Sequence, residues 1–117
     1  YSQDRLSCGK PIFNHQAIAF KLADMHVKIT CARLLIHKAA AEKDNGEDIA
    51  HSGAMAKLYA SEIALEVANE AVQIHGGNGY VSEYHVERMM RDSKITQIYE
   101  GTSEIQRIVI SRGLVKK

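Results

Sequence analysis

The sequence predicts an all-α fold, an antiparallel (up-down) four-helix bundle. Two long segments carry apolar residues at alternating spacings of four and three, the period of a helix that buries one face. Two shorter helical segments follow, turn-forming residues separate all four, and no strand-like alternation of useful length appears. The length of 117 residues suits a single domain.

The first predicted helix follows Pro11, the only proline, and ends at residues 43–47, where Asn-Gly signals a turn. Its apolar stripe consists of Ile18, Leu22, Met25, Ile29, Ala32, Ile36 and Ala39. Four further apolar residues widen this stripe, namely Phe20, Val27, Cys31 and Leu34. We therefore expect this helix to pack against more than one neighbour.

The second predicted helix runs from about residue 48 to residue 74. Small residues dominate its stripe, which consists of Ala54, Leu58, Ser61, Leu65, Ala68 and Val72, so a partner helix can approach closely. The glycine-rich residues 76–79 end this helix because glycine tolerates a positive φ.

Two shorter helices complete the predicted bundle. The third is expected over residues 83–93 with Ser82 as its cap, and residues 95–101 form a connecting loop. The fourth is expected over residues 103–115, where Thr102 caps the first turn. Glu104 also lies in that turn, where the helix dipole favours a carboxylate.

Composition argues against several kinds of function. The chain is 45% hydrophobic and 25% charged, and its basic and acidic residues are interspersed with a net charge of +1, which does not predict a nucleic-acid surface. No apolar run approaches the length of a membrane span. Cys8 and Cys31 do not form a disulfide or zinc pattern. His15, His26 and His37 recur along one helix line at about 16 Å, too far apart to share an ion, so no metal site is expected.

Three local features could carry chemistry, and each has a structural alternative. Residues 73–80 read Q-I-H-G-G-N-G-Y, so their exposed amides could bind phosphate oxygens, or the glycines could simply cap a helix. Glu100 lies in a loop before a helix and could be a desolvated general base or a solvated glutamate. Arg5, with Ser7 nearby, could bind a pyrophosphate or remain a surface residue.

Taken together, these segments form an ordered set. Residues 5–12 read R-L-S-C-G-K-P-I, residues 73–80 carry the glycine loop, and residues 95–107 read I-T-Q-I-Y-E-G-T-S-E-I-Q-R after Arg91-Asp92. In this order and spacing they resemble the acyl-CoA dehydrogenase family, over essentially the whole chain. Cys8 departs from the family pattern, which usually has Phe there, so the packing beside that residue is in doubt.

The resemblance implies that residues 1–117 are the carboxy-terminal helical domain of a larger three-domain flavoenzyme, which also has an amino-terminal helical domain and a middle β-domain. FAD would lie between this domain and the β-domain, with its adenine end reaching into a neighbouring subunit. The residues implied to contact FAD are Arg5, Ser7, His15, Gln16, Gln73, Ile74, His75, Gly76, Gly77, Thr102 and Glu104.

The reaction implied by the resemblance is α,β-dehydrogenation of an acyl-CoA thioester. Glu100 would take a proton from Cα while a hydride leaves Cβ for FAD, and Tyr99, Gly101 and Arg112 would lie near the substrate. A base at this position favours a short- or medium-chain or short-branched type. Glutamate suits the role because excluding water raises the pKa of a carboxylate.

The family resemblance also implies partners. We expect an electron-transferring flavoprotein as electron acceptor and a homo-oligomer, a dimer of dimers, in a bacterial cytoplasm or a mitochondrial matrix. The pathway would be fatty-acid or branched-chain amino-acid oxidation. The alternatives are an acyl-CoA oxidase-like enzyme and a non-catalytic helical oligomerisation scaffold. The fragment alone is expected to be inactive, with open apolar faces that favour self-association.

Overall fold

The computed structural model describes residues 1–115, and four α-helices dominate this part of the chain. The helices are α1 (Gln16–Asp44), α2 (Ala50–His75), α3 (Val86–Ile95) and α4 (Ser103–Leu114). The predicted all-α class and the four helices are confirmed. The predicted domain extends to residue 117, and residues 116–117 lie outside the described residues.

A short hairpin, which the sequence pattern did not predict, precedes the helices. Strands β1 (Leu6–Ser7) and β2 (Lys10–Pro11) pair antiparallel, with Leu6 opposite Pro11 and Ser7 opposite Lys10. The two turn residues, Cys8 and Gly9, both have positive φ, which is the conformation of a tight two-residue hairpin turn. Two residues per strand are too few for an alternating pattern to show in the sequence.

Helix α2 is the centre of the domain, because α1, α3 and α4 all pack on it. A short turn joins α1 to α2, so these two helices run antiparallel. Helix α4 also runs opposite to α2, since Arg107 pairs with Glu62 and Gly113 lies against His51. The result measures 61 × 24 × 23 Å, elongated along the two long helices.

Small side chains form the interface between α1 and α2. Ala32 and Ala39 of α1 are buried, and so are Ala54, Ser61 and Ala68 of the predicted α2 stripe. Side chains of this size let two helix backbones approach closely. The predicted α1 stripe is only partly buried, because its residues Ile29 and Ile36 are 38% and 47% exposed.

Two ion pairs flank this interface. Lys21 of α1 pairs with Glu70 of α2, and Lys28, about two turns further along α1, pairs with Glu66. The hydrogen bond to Glu66 raises the pKa of Lys28. Exposed pairs of this kind typically contribute about 0.2–1 kcal/mol, so packing rather than charge dominates the interface.

The wider apolar face of α1 does not pack within residues 1–115. Phe20, Val27 and Leu34 recur every seventh residue and are 60%, 60% and 63% exposed, and Cys31 is exposed as well. The expectation that α1 packs against more than one helix is therefore not met by the described part of the chain, where α2 is its main partner. A helix can carry an apolar face whose partner is not among these residues.

The start of the third helix was predicted incorrectly. Ser82 does not cap it, because residues Ser82–Tyr84 form a separate 3-10 turn and α3 begins only at Val86. His85 between them is left-handed, with φ of 61°, and a left-handed residue cannot continue a right-handed helix. This reversal buries Val86 against the domain.

The cap of the fourth helix is confirmed. The Thr102 hydroxyl accepts a hydrogen bond of 3.3 Å from the backbone N–H of Ile105, and α4 then runs from Ser103 to Leu114. A threonine at this position satisfies one of the free N–H groups of the first turn. The predicted start is correct, and the helix ends one residue before the predicted end.

Candidate functional site

Glu100 lies between α3 and α4, in a turn formed by residues 99–102, here named the Glu100 turn. Two consecutive residues of this turn are left-handed, since φ is 52° at Glu100 and 89° at Gly101. A residue with a Cβ is strained by about 1–2 kcal/mol in this conformation. The Glu100 side chain is exposed. Contacts elsewhere in the fold must therefore hold this residue in its strained conformation.

Two side chains from different helices hold the Glu100 turn. Gln106 of α4 donates from Nε2 to the carbonyl oxygens of Glu100 and Gly101, at 3.2 Å in both cases. Lys57 of α2 donates from Nζ to the Gly101 carbonyl at 2.6 Å. The turn is therefore anchored to both α2 and α4.

An apolar groove adjoins one side of the Glu100 turn. It has a volume of about 510 Å³ and lies between α1, α2 and the start of the α3–α4 connection. Its lining residues are Ile36, Ala39, Gly53, Ala56, Lys57, Ala60, Ser61, Ala64, Thr96 and Tyr99. Tyr99, a predicted substrate residue, therefore borders a space that suits an apolar chain.

A polar pocket adjoins the other side of the turn. It has a volume of about 300 Å³, and its lining residues are Glu62, Lys94, Gln97, Ile98, Thr102, Ser103, Glu104 and Arg107. Hydrogen bonds from its own backbone N–H and from the Thr102 hydroxyl lower the pKa of Glu104. The Ser103 hydroxyl is buried and has no hydrogen-bond partner among the described residues. Ser103 is not among the site residues that the sequence predicts.

A second cavity lies at the opposite end of α2 and brings together residues from distant parts of the sequence. Its volume is about 380 Å³, and its lining residues are Tyr1, Arg5, Leu6, Ser7, Ile12, Ile74, His75, Gly76, Gly77 and Asn78. Six of the predicted FAD-binding residues are in this set. The hairpin end and the glycine loop therefore form one site on one chain.

Tyr1 joins the two halves of this second cavity. Its ring stacks on the His75 ring at 4.1 Å and meets the Tyr84 ring edge-on at 5.8 Å. Its hydroxyl donates to the His75 carbonyl at 3.2 Å and accepts from Nδ2 of Asn78 at 3.1 Å. Residues 74 apart in sequence are thus in direct contact. No sequence motif marked Tyr1 or Asn78 for this role.

Two histidines beside this cavity are oriented by backbone carbonyls. His15 Nε2 contacts the Ser7 carbonyl at 3.0 Å, and His75 Nδ1 contacts the Ala71 carbonyl at 2.7 Å. Because a carbonyl only accepts hydrogen bonds, each of these ring nitrogens carries the proton. The Nε2 atom of His75 is then left as an acceptor when the ring is neutral.

The glycine loop, residues Gly76–Tyr80, serves both as a helix end and as an open surface. Gly76 is the C-cap of α2, with φ of 61° and ψ of −137°, a conformation that requires glycine. Gly79 is buried, and a Cβ there would lie 2.5 Å from the Val72 carbonyl oxygen. Gly77 is exposed, and a Cβ there would meet nothing within 4 Å. The loop thus caps the helix and leaves backbone accessible.

Several predicted site residues lie outside these cavities. Gln16 and Gln73 are exposed and line none of the three. Arg112 is exposed in the last turn of α4 and also lines none of them. Cys8 is exposed at the hairpin turn, so its small size leaves no gap in the core of the described chain.

The two sites are well separated on a single chain. Lys57 contacts the Glu100 turn and His75 lines the second cavity, and these residues are about 27 Å apart along α2 at about 1.5 Å per residue.

Among residues 1–115, no three His, Cys, Asp or Glu side chains are grouped to hold a metal ion. None of the helices described is long and apolar enough for a membrane span.

Comparison with known proteins identifies related sequences and structures. The family model described as acyl-CoA dehydrogenase, C-terminal domain, matches residues 1–115. The chain is 53% identical over 116 residues to the probable acyl-CoA dehydrogenase YngJ of Bacillus subtilis, covering 99% of this chain and 30% of that protein. It is 51% identical over 117 residues to the caffeyl-CoA reductase-Etf complex subunit CarC of Acetobacterium woodii, covering 100% of this chain and 31% of that protein.

A solved structure matches equally well. The structure of butyryl-CoA dehydrogenase from Megasphaera elsdenii has a TM-score of 0.98 and 51% sequence identity to this chain. The match covers 99% of this chain and 30% of the other. The chain thus spans about 30% of the length of the relatives it matches.

Proposed function

The chain belongs to the acyl-CoA dehydrogenase family, in which it corresponds to the C-terminal domain. On this premise we propose that it supplies the catalytic base and part of the FAD site of an enzyme that dehydrogenates acyl-CoA thioesters. The observation that carries the proposal is the Glu100 turn, in which the backbone of Glu100 is strained, Tyr99 lines an apolar groove and Thr102 lines a polar pocket. Strain of this kind persists where the surrounding structure maintains it, often at functional sites.

Glu100 acts as a general base on the α-carbon of the thioester. Its carboxylate accepts the α-proton, and FAD, when bound, supplies the acceptor for the hydride that leaves Cβ. Tyr99 borders the groove for the acyl chain. Because the Glu100 side chain is exposed in this chain, the surface that excludes water from the base must come from outside residues 1–115.

The residues present fit a dinucleotide cofactor. Arg5 lines the second cavity beside the exposed residues Gly76 and Gly77, and a guanidinium is a donor that matches the oxygens of a pyrophosphate. In the polar pocket, the buried Ser103 hydroxyl still lacks a partner among the residues described. Among the residues described, the side chains of Arg5 and Ser103 are therefore the polar groups of these two sites that could meet a ligand.

The separation of the two sites supports an oligomeric enzyme. The base and the hydride acceptor must reach the same substrate, so the reactive end of FAD belongs beside the Glu100 turn. The second cavity, about 27 Å away along α2, would then hold the nucleotide end of an FAD whose reactive end lies on another subunit. One chain would thus contribute to two cofactors.

Names of the relatives support the substrate class and the electron acceptor. One relative is a butyryl-CoA dehydrogenase, and another is a subunit of a caffeyl-CoA reductase-Etf complex. We accordingly include a CoA thioester as substrate and an electron-transferring flavoprotein as partner in the proposal. A short- or medium-chain acyl group fits the presence of a base at Glu100.

The proposal is tested with the full-length flavoprotein that carries this chain. Butyryl-, octanoyl- and isobutyryl-CoA are added without oxygen while the visible flavin band is recorded. We expect one thioester to bleach the band and Glu100→Gln to slow bleaching by about 10²–10⁴-fold, the usual contribution of a general base. Glu47→Gln, in the exposed α1–α2 turn, is the matched control and should bleach at the normal rate.

Two results would contradict this function. Bound flavin that no acyl-CoA bleaches would exclude the proposed substrate class, and unchanged bleaching in Glu100→Gln would exclude Glu100 as the base.

Admitting air after bleaching separates a dehydrogenase, whose reduced flavin persists, from an acyl-CoA oxidase, whose flavin is reoxidised. The isolated 117-residue chain is expected to show no turnover.

A further inference from the structure

We infer that Lys57 is a positioning residue that sets the geometry of the Glu100 turn, an inference that rests on the function proposed for Glu100. The side-chain ammonium of Lys57 donates a hydrogen bond of 2.6 Å to the carbonyl of Gly101, across 44 residues of sequence. This contact joins the middle of α2 to the residue directly after the proposed base. Nothing in the local sequence around Glu100 identifies it.

The environment of Lys57 directs its ammonium to that carbonyl. The side chain is half-buried and lines the apolar groove with small residues and Tyr99. Lys57 takes part in none of the ion pairs found among residues 1–115, so its charge is not committed to a carboxylate there. A charge-assisted hydrogen bond beside an apolar surface is stronger than one in open water.

The bond acts on the most flexible residue of the turn. Gly101 lacks a Cβ and could rotate widely. Its carbonyl belongs to the peptide that joins it to Thr102, so a bond to this carbonyl restricts rotation at Gly101, directly between Glu100 and the start of α4. Lys57 and Gln106 both donate to this carbonyl, one from α2 and one from α4, while Gln106 also fixes the carbonyl of Glu100. If Lys57 is removed, only the two hydrogen bonds from Gln106 of α4 still hold these carbonyls.

Lys57 therefore acts through Glu100 and does not itself react. A base must lie within hydrogen-bonding distance of the proton it removes, and a displacement of about 1 Å at a reacting group can lower the rate by about a hundredfold. Binding of the thioester depends on other contacts. Loss of the Lys57 bond should thus lower the rate of proton removal more than the affinity for substrate.

The test uses the full-length flavoprotein with Lys57→Met, which keeps most of the side-chain stem and removes the ammonium. We expect the anaerobic rate of flavin bleaching, per bound flavin, to fall by about ten- to a hundredfold. The half-saturating acyl-CoA concentration should change by less than about threefold, because ground-state binding is retained. Lys57→Arg, which keeps a cationic donor, should recover part of the rate.

A second readout does not depend on FAD. In cofactor-free protein, amide hydrogen exchange of residues 100–103 should be about tenfold faster in Lys57→Met, while residues 60–70 of α2 keep their protection. Lys43→Met, at an exposed lysine in the last turn of α1, is the matched control and should leave both readouts unchanged.

The possible failures are distinguishable. Normal bleaching and normal exchange in Lys57→Met, with Glu100→Gln inactive, would overturn the role of Lys57 and leave the proposed function intact. Normal bleaching in Glu100→Gln would overturn the proposed function and the role of Lys57 together. If Lys57→Met does not fold, Lys57→Gln replaces it, and equal rates in Lys57→Gln and Lys57→Arg would overturn the inference.

Discussion

At the scale of single residues, the strained backbone of Glu100 is balanced by a small number of hydrogen bonds. Left-handed φ disfavours this residue by about 1–2 kcal/mol, whereas a typical hydrogen bond contributes about 0.5–1.5 kcal/mol. Three bonds reach the carbonyls of Glu100 and Gly101, from Lys57 and Gln106. They are enough to offset the strain, so the conformation of the base is set by its neighbours.

Gly101 is the residue of the turn at which a side chain should be least tolerated. Its φ is 89°, and a Cβ would lie 2.6 Å from Nε2 of Gln106, the atom that donates to the turn. We expect Gly101→Ala to lower the free energy of unfolding by about 1–3 kcal/mol, measured by urea denaturation. Gly77→Ala is the control, since a Cβ there meets nothing within 4 Å, and it should stay within about 0.5 kcal/mol. Equal stability of the two variants would contradict the strain argument.

At the scale of secondary-structure elements, local signals explain where most helices end, and tertiary contacts explain the exceptions. Thr102 caps α4 through a hydrogen bond to Ile105, and Gly76 ends α2 with a conformation suited to glycine. By contrast, Ser82 resembles a cap in sequence, but Tyr84 packs against Tyr1 and His75, and the chain reverses at His85 before α3 begins. Local propensity cannot anticipate a contact with the first residue of the chain.

The cap of α4 gives a test at the element scale. Thr102→Ala should lower the free energy of unfolding by about 1 kcal/mol at pH 7, because the N–H of Ile105 loses its acceptor. Thr30→Ala is the control, since the Thr30 hydroxyl only bonds the His26 carbonyl within α1 and its loss should have little effect. If both variants unfold at the same urea concentration, Thr102 is not a stabilising cap.

The same variant should show a pH dependence. The folded pKa of Glu104 is lowered from 4.5 by hydrogen bonds from its own backbone N–H and from Thr102. The ionised Glu104 carboxylate therefore stabilises the fold at pH values above its ordinary pKa. This contribution is lost as the pH falls through the lower pKa of the folded state. The stability difference between wild type and Thr102→Ala should thus shrink between pH 7 and pH 3 in urea titrations. A difference that grows on acidification would contradict this sign.

At the scale of the whole molecule, the described chain has a shallow core and open apolar faces. Its buried hydrophobic residues are mostly Ala, with Ile63, Ile74 and Val86 the larger ones, and no side chain of residues 1–115 is less than 2% exposed. Phe20, Val27 and Leu34 form a continuous exposed line on α1. An apolar face of this kind is typical of a surface that meets another protein surface.

Self-association of the chain should follow from this exposed face. We expect sedimentation of the 117-residue chain to show a weight-average mass that rises with concentration. Leu34→Glu with Phe20→Glu should reduce the rise, because a charge cannot be buried cheaply in such a contact. Ala23→Glu, at an exposed small residue of α1, is the control and should have little effect. A monomeric mass at all concentrations would contradict the expectation.

The sequence by itself determined the four helices, the small buried residues of α1 and α2, the Thr102 cap and the resemblance to a flavoenzyme family. These features are encoded by periodicity, capping residues and ordered motifs, which act between residues close in sequence. Tertiary structure alone decided that Lys57 bonds to Gly101 and that Tyr1 joins the hairpin end to the glycine loop. It also decided which apolar stripe stays exposed. Such contacts link residues 44 and 74 apart, and no local pattern specifies which distant partner a side chain will meet.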